Sequence, residues 1–152
     1  MRPICTIPFV GIMILTGLSF SISGNGPVKE MAKAEPGFAV VELFTSEGCS
    51  SCPAADELAI ALSKEYTMDV YFLGYHVDYW NYIGWKDKFS KADYTERQRK
   101  YAAAFKLKSI YTPQVVINGK KELVGSDQTR LRRAIREELK LKTDYEINVS
   151  AK

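Results

Sequence analysis

The stretch Phe38–Pro53 reads FAVVELFTSEGCSSCP, and its reading decides the fold. Its first half, Phe38–Thr45, is an apolar run with β-branched residues, broken only by Glu42. Such a run fits a strand buried on both faces. Its second half sets Cys49 and Cys52 one helical turn apart, with Ser50 and Ser51 between them. Ser50–Tyr66 then reads as a helix. Pro53 falls in its first turn, where a missing N–H costs nothing, and Leu58, Ala61 and Leu62 recur at helical spacing. Strand, CxxC and helix in that order put the thiols at a helix N-terminus. Free backbone N–H groups and the helix dipole favour a thiolate there.

Downstream, Asp69–Val77 (DVYFLGYHV) reads as a second buried strand, and Val77–Trp85 as an irregular, aromatic-rich segment. Phe89–Phe105 reads as a helix that ends before Thr112-Pro113. Gln114–Gly119 reads as a third strand, with Asn118-Gly119 as a two-residue hairpin signal, and Lys121–Gly125 as a fourth. Ser126 or Asp127 caps a last helix over Gln128–Leu141. The order β-α-β-α-β-β-α predicts an α/β domain with a mixed four-stranded sheet flanked by helices. The first two strands are parallel through a right-handed crossover, and the last two form a hairpin. A CxxC beside a β-α-β unit reads as a thioredoxin-like redox site.

That topology brings three segments to one rim of the sheet. The loop after the first strand carries Cys49, and the loop after the second carries His76 and Asp78. The third strand runs the other way, so its start at Pro113 returns to the same edge. Cis peptides are essentially a proline phenomenon, and Thr112-Pro113, just before the third strand, matches where thioredoxin-like folds place a cis-proline against the dithiol; the alternative is an ordinary strand-start proline. Beside it, Tyr79, Trp80, Tyr82 and Trp85 read either as an apolar lip for a substrate chain or as a satellite core. Tyr79, Trp80, Trp85 and Thr112 are the groove candidates.

Four blocks, VVELFTSEGCSSCP, HVDYWNYIGWKD, RQRKYAAAF and YTPQVVINGK, resemble in order a secreted bacterial, thioredoxin-like family known as domain of unknown function 1223. The resemblance runs from about Phe38 to Leu141. Ala54 stands where a second proline is common, and Asn81 where Asp is common. Members of the family run on into a further β-rich part. Residues 142–152, with the alternating DYEINVS of Asp144–Ser150, read as the start of such an extension. The resemblance implies Cys49 as attacking thiol and the more exposed of the two, Cys52 as resolving thiol and Pro113 as the wall of the substrate groove. Thioredoxins also bury an acidic residue behind the second cysteine. Glu42 is a candidate for it, although its spacing to Cys49 is one residue longer and a one-residue shift reverses the face of a strand. The alternative is a strand carboxylate satisfied by a Tyr or Lys.

The chain has 152 residues, 46% hydrophobic and 26% charged, with a net charge of +3. This suits one globular domain and does not argue for a nucleic-acid partner. Arg130, Arg132, Arg133 and Arg136 alternate with Glu137 and Glu138 as a solvated helix face. Residues 1–23, with the uncharged run IPFVGIMILTGLSFSI, read as a signal peptide, and residues 24–37 as a linker. The run is short of the ~20 residues a membrane span needs, so a cleaved signal is preferred to an uncleaved anchor. A secreted or periplasmic location follows. Cys5 would leave with the signal.

Two cysteines remain, and a bridge across Ser50-Ser51 closes too small a loop to act as a staple. With one further His, four-ligand structural zinc is not supported. The expected activity is that of a thiol–disulfide oxidoreductase needing no cofactor beyond the Cys49–Cys52 disulfide. Its partner would be a protein or small-molecule thiol or disulfide. The alternative is a non-enzymatic binding module, with copper held by Cys49, Cys52 and His76 as its metal form. His76 reads equally as a strand-end histidine bonded to Asp78 or a tyrosine. Nothing in the sequence specifies an oligomeric state.

Overall fold

The computed structural model describes residues 37–142. The signal peptide, most of the linker, Cys5 and the terminal DYEINVS segment lie outside the described residues. Among those described, no helix is long and apolar enough to cross a membrane.

The element order is β1 (Ala39–Thr45), α1 (Pro53–Glu65), β2 (Val70–His76), α2 (Ala92–Ala104), β3 (Gln114–Ile117), β4 (Lys121–Val124) and α3 (Gln128–Leu139). The sheet order is β2-β1-β3-β4. β1 pairs parallel with β2, from Ala39 opposite Val70 to Thr45 opposite His76. It pairs antiparallel with β3, which pairs antiparallel with β4. This mixed four-stranded sheet with three helices is a thioredoxin-like α/β fold, as the sequence order requires.

Alternation along β1 divides the core. Ala39, Val41 and Leu43 face α1 and α3, packing with Ala55, Leu62, Leu131 and Ile135. Phe44 faces the other way, with Val116, Tyr101 and Phe105. Glu42 shares the face of Phe44. The β3–β4 turn carries positive φ at Asn118 (48°) and Gly119 (65°), and with Ile117 opposite Lys121 it spans three residues rather than the two the sequence suggests. Asp127 caps α3, its carboxylate accepting from the Arg130 N–H at 3.0 Å.

One expectation is corrected. β2 is an edge strand rather than a buried one, and Tyr71 and Leu73 are exposed. Its apolar sequence matches that of a central strand, but with β1 on one side only and α2 covering part of one face, half of it meets solvent.

Candidate functional site

The site is built on the turn between β1 and α1. The Cys49 N–H bonds the Ser46 carbonyl at 3.1 Å, and the Cys52 N–H bonds the Cys49 carbonyl at 3.2 Å. Cys52 is the N-cap residue of α1, with Pro53 just inside. Its carbonyl accepts from the N–H groups of Ala55 (2.9 Å) and Asp56 (3.0 Å). The helix therefore starts at Pro53, after the dithiol rather than at Ser50. Cys49 and Cys52 are joined in a disulfide, with Cα atoms 5.4 Å apart. The Ser51 hydroxyl lies 3.6 Å from Cys49 Sγ and can donate to it. Thr112-Pro113 is a cis peptide. Pro113 is buried at the head of β3, and its side chain and that of Ala55 both press on Gly125.

Both cysteines are buried, at 2% and 0% exposure. Cys49 is therefore not the open thiol that the sequence suggests. The aromatic loop packs on its neighbour Gly48: Trp80 Cβ and Ile83 Cδ1 lie 3.2 Å from the position a Cβ on Gly48 would take, so a side chain there would have to push them aside. The Trp80 indole N–H donates to Thr112 Oγ1 at 2.8 Å, bridging from the Gly48 side to the Pro113 side. Trp85 makes a second clasp, donating to Glu47 Oε2 at 2.9 Å. Tyr79 donates to Gln98 at 3.1 Å and packs with the Phe44 cluster. Of the groove candidates, Trp80 and Thr112 thus touch each other, Trp85 holds the rim, and Tyr79 is half-buried in the second core.

His76 does not meet Asp78. Its Nδ1 lies 2.6 Å from Asp87 Oδ2. Asp78 instead accepts from the Thr95 hydroxyl at 2.6 Å, tying the loop to α2. Asp87, which the sequence does not single out, is the residue that anchors His76. It is 1% exposed and accepts from the N–H of Glu47 at 2.9 Å and of Phe89 at 2.9 Å, besides His76. Burial alone would raise its carboxyl, but these donors together hold it below the usual range. Its short bond to the Phe89 N–H is the Asx turn that an Asp two residues ahead could have signalled.

The sequence does not single out Asp56 either. It lies four residues after Cys52, on the same side of α1. The Thr45 hydroxyl is buried without a well-formed hydrogen bond and faces it. Burial raises the Asp56 carboxyl, the Thr45 hydroxyl and His76 pull it back, Asp87 raises it again, and the balance is upward.

Glu42 does not serve the thiols. It lies on the opposite face of the sheet from α1, where Arg97 grips both its oxygens (2.5 and 2.8 Å) and Tyr101 donates at 2.7 Å. The one-residue shift in spacing has turned it away from Cys52. Burial and this carboxylate push the Tyr101 hydroxyl up to about 12. The copper arrangement is not assembled either: among the described residues, no three His, Cys, Asp or Glu side chains are gathered as a metal site.

Residues 40–152 match the family model described as protein of unknown function (DUF1223). The chain belongs to this family. The order of the four blocks and the fold agree with that membership. Comparison with curated proteins returned no match. Among solved structures, the chain is similar to the crystal structure of a protein from Agrobacterium tumefaciens, at 43% identity and a TM-score of 0.62. The match covers 68% of this chain and 46% of that one, so this chain corresponds to about half of that protein. The Cys49–Cys52 disulfide at the head of α1 is compatible with a redox role in this DUF1223 member.

Proposed function

We propose that this DUF1223 protein is an exported thiol–disulfide oxidoreductase. Cys49 attacks a substrate disulfide, Cys52 resolves the mixed disulfide, and the pair returns to its own disulfide as the substrate is reduced. In the other direction a substrate dithiol is oxidised while Cys49–Cys52 takes up its electrons. The disulfide itself is the redox group. The observation that carries this reading is the position of the pair: a bonded CxxC immediately ahead of α1, with Cys52 as the N-cap residue at the positive end of the helix dipole. A bridge this short adds little by chain entropy, which favours chemistry over stapling.

The choice of Cys49 as attacker is supported by the Ser51 hydroxyl, which can stabilise a thiolate on Cys49. Cys52 lies fully buried, as suits a thiol that meets only the mixed disulfide. Pro113 walls the groove. The signal peptide over residues 1–23 supplies the compartment in which disulfides persist.

The test is equilibration of the mature protein with glutathione redox buffers, followed by alkylation of the reduced form across pH. The expected result is a reversible two-electron transition, with alkylation at Cys49 midway below the ordinary thiol value of about 8.5. A disulfide that does not exchange with glutathione in the folded protein would sink the reading. Replacing Ser51 by Ala is expected to raise the midpoint at Cys49.

A further inference from the structure

The rim beside the dithiol carries a groove of about 450 Å³, lined by Gly74, His76, Lys88, Phe89, Lys91 and Tyr94. None of these is acidic, and three carry or can carry positive charge. The two ammonium groups each lie over an aromatic ring. Lys88 Nζ sits 4.9 Å from the centre of the Phe89 ring, and Lys91 Nζ sits 5.4 Å from that of Tyr94. Both distances are within the range of cation–π attraction. Gly74 leaves the floor open, since a Cβ there would meet nothing within 4 Å. The histidine is held from behind: Asp87 bonds its Nδ1, leaving the other edge of a partly exposed ring toward the groove. The charge of Asp87 is buried and engaged by Glu47, Phe89 and His76, so it does not face a ligand.

This groove and the dithiol share a wall. His76 is the ladder partner of Thr45, the last residue before the dithiol turn. Asp87 Oδ2, which holds His76, also holds the Glu47 N–H. From Glu47 to Cys49 the chain reaches at most about 7 Å. A molecule of peptide size can therefore lie in the groove while its sulfur meets Cys49. The burial of both cysteines argues against a folded protein as the other reactant.

The geometry points to a small anionic disulfide or thiol as the substrate class, its carboxylates held by His76, Lys88 and Lys91 beside the dithiol. This rests on the dithiol chemistry proposed above. In the exchange, the Cys49 thiolate forms a bond to one substrate sulfur and the other leaves as a thiolate. Cys52 then loses its proton to solvent and attacks Cys49, closing the protein disulfide and releasing the second thiolate. Two electrons pass from protein to substrate.

The experiment has two arms. In the first, reduced protein is oxidised by three small disulfides of similar reactivity: oxidised glutathione (anionic), 2-hydroxyethyl disulfide (neutral) and cystamine (cationic). The expected order is anionic, neutral, cationic, with at least ~10-fold between the ends at low salt, shrinking as salt screens the groove. Lys88→Gln with Lys91→Gln should collapse that preference, the rate with the anionic disulfide falling toward that with the neutral one. In the second arm, S-methylglutathione, which cannot exchange, is titrated into the oxidised protein, and shifts of the His76 ring resonances are expected. Equal rates for the three disulfides, a preference that survives the double substitution, or faster reaction with a denatured disulfide-bonded protein would each overturn the assignment. Failure of every disulfide to react would overturn the oxidoreductase reading and this substrate class with it. If S-methylglutathione still shifted His76 in that case, the failure would lie in the dithiol and not in the groove.

Discussion

Asp87 and Asp56 stand close to the same histidine and are driven in opposite directions. Asp87 has its carboxyl held low by three donors, so its stabilisation is present above the ordinary aspartate value of about 3.9 and is lost as pH falls through the lowered folded value. Asp56 has its carboxyl raised by burial, so its contribution is full below that ordinary value and is lost as pH rises through the raised one. Urea unfolding over a pH series should separate them. Asp87→Asn removes a charged acceptor from two N–H groups and an imidazole, and is expected to cost about 1–3 kcal/mol at neutral pH, with the deficit shrinking in acid. Asp56→Asn is expected to raise stability at neutral pH and leave it unchanged in acid. Parallel curves for the two variants would refute the assignment. Neither residue stands out in the sequence. Asp87 is flanked by Lys86 and Lys88, as a surface carboxylate would be, and only its fold partners, Glu47 and His76, show that it points inward. The cysteines and Pro113 are legible because their chemistry is tied to spacing along the chain.

Elements are more legible than their surroundings. β1 is readable because a strand buried on both faces needs apolar residues at every position but one. β3 and β4 are readable because Asn118-Gly119 fits few other conformations. The start of α2 is not. Phe89–Lys91 continues the helical spacing of Ala92–Ala104 backwards, but Lys91 is extended (φ −137°, ψ 141°) and its N–H bonds the His76 carbonyl at 3.1 Å. A tertiary bond to the end of β2 overrides local propensity there. The exception in β1, Glu42, is explained by α2, which supplies Arg97 and Tyr101. Its own side chain is 6% exposed, whereas that of Arg97 is 45% exposed. The two partners should therefore respond unequally. Arg97→Met leaves a buried carboxylate with one neutral donor and is expected to cost about 3 kcal/mol. Glu42→Gln keeps acceptors for Arg97, which solvent can also serve, and should cost less. Both should leave the dithiol potential unmoved, since this cluster and the dithiol lie on opposite faces of the sheet. A shifted potential in either variant would return Glu42 to the thiols.

The rim as a whole raises the question of how a buried disulfide meets any reactant. Three loops converge there, as strand directions alone require, but no pattern in the chain signals how the aromatic loop is fastened across the rim. That fastening is a side-chain event: a Trp80 indole reaching a Thr112 hydroxyl across 32 positions of chain. If access came only with global unfolding, the rate at which a small phosphine reduces Cys49–Cys52 would rise with denaturant in step with the unfolding constant. If the clasp opens by itself, the rate at low denaturant is flat, because local opening exposes little surface. The packing favours the second. The clasp is two side-chain hydrogen bonds, Trp80–Thr112 and the more exposed Trp85–Glu47, and the loop's own tip is exposed at Tyr82, Ile83 and Trp85. Trp80→Phe keeps an aromatic ring at that position and removes the donor. It is expected to lower global stability by about 0.5–1.5 kcal/mol, yet to speed reduction severalfold at zero denaturant. Thr112→Val should do the same by removing the acceptor, and the double variant should add little to either, because both break one bond. Unchanged reduction rates in the two single variants would show that the Trp80–Thr112 bond does not gate the site.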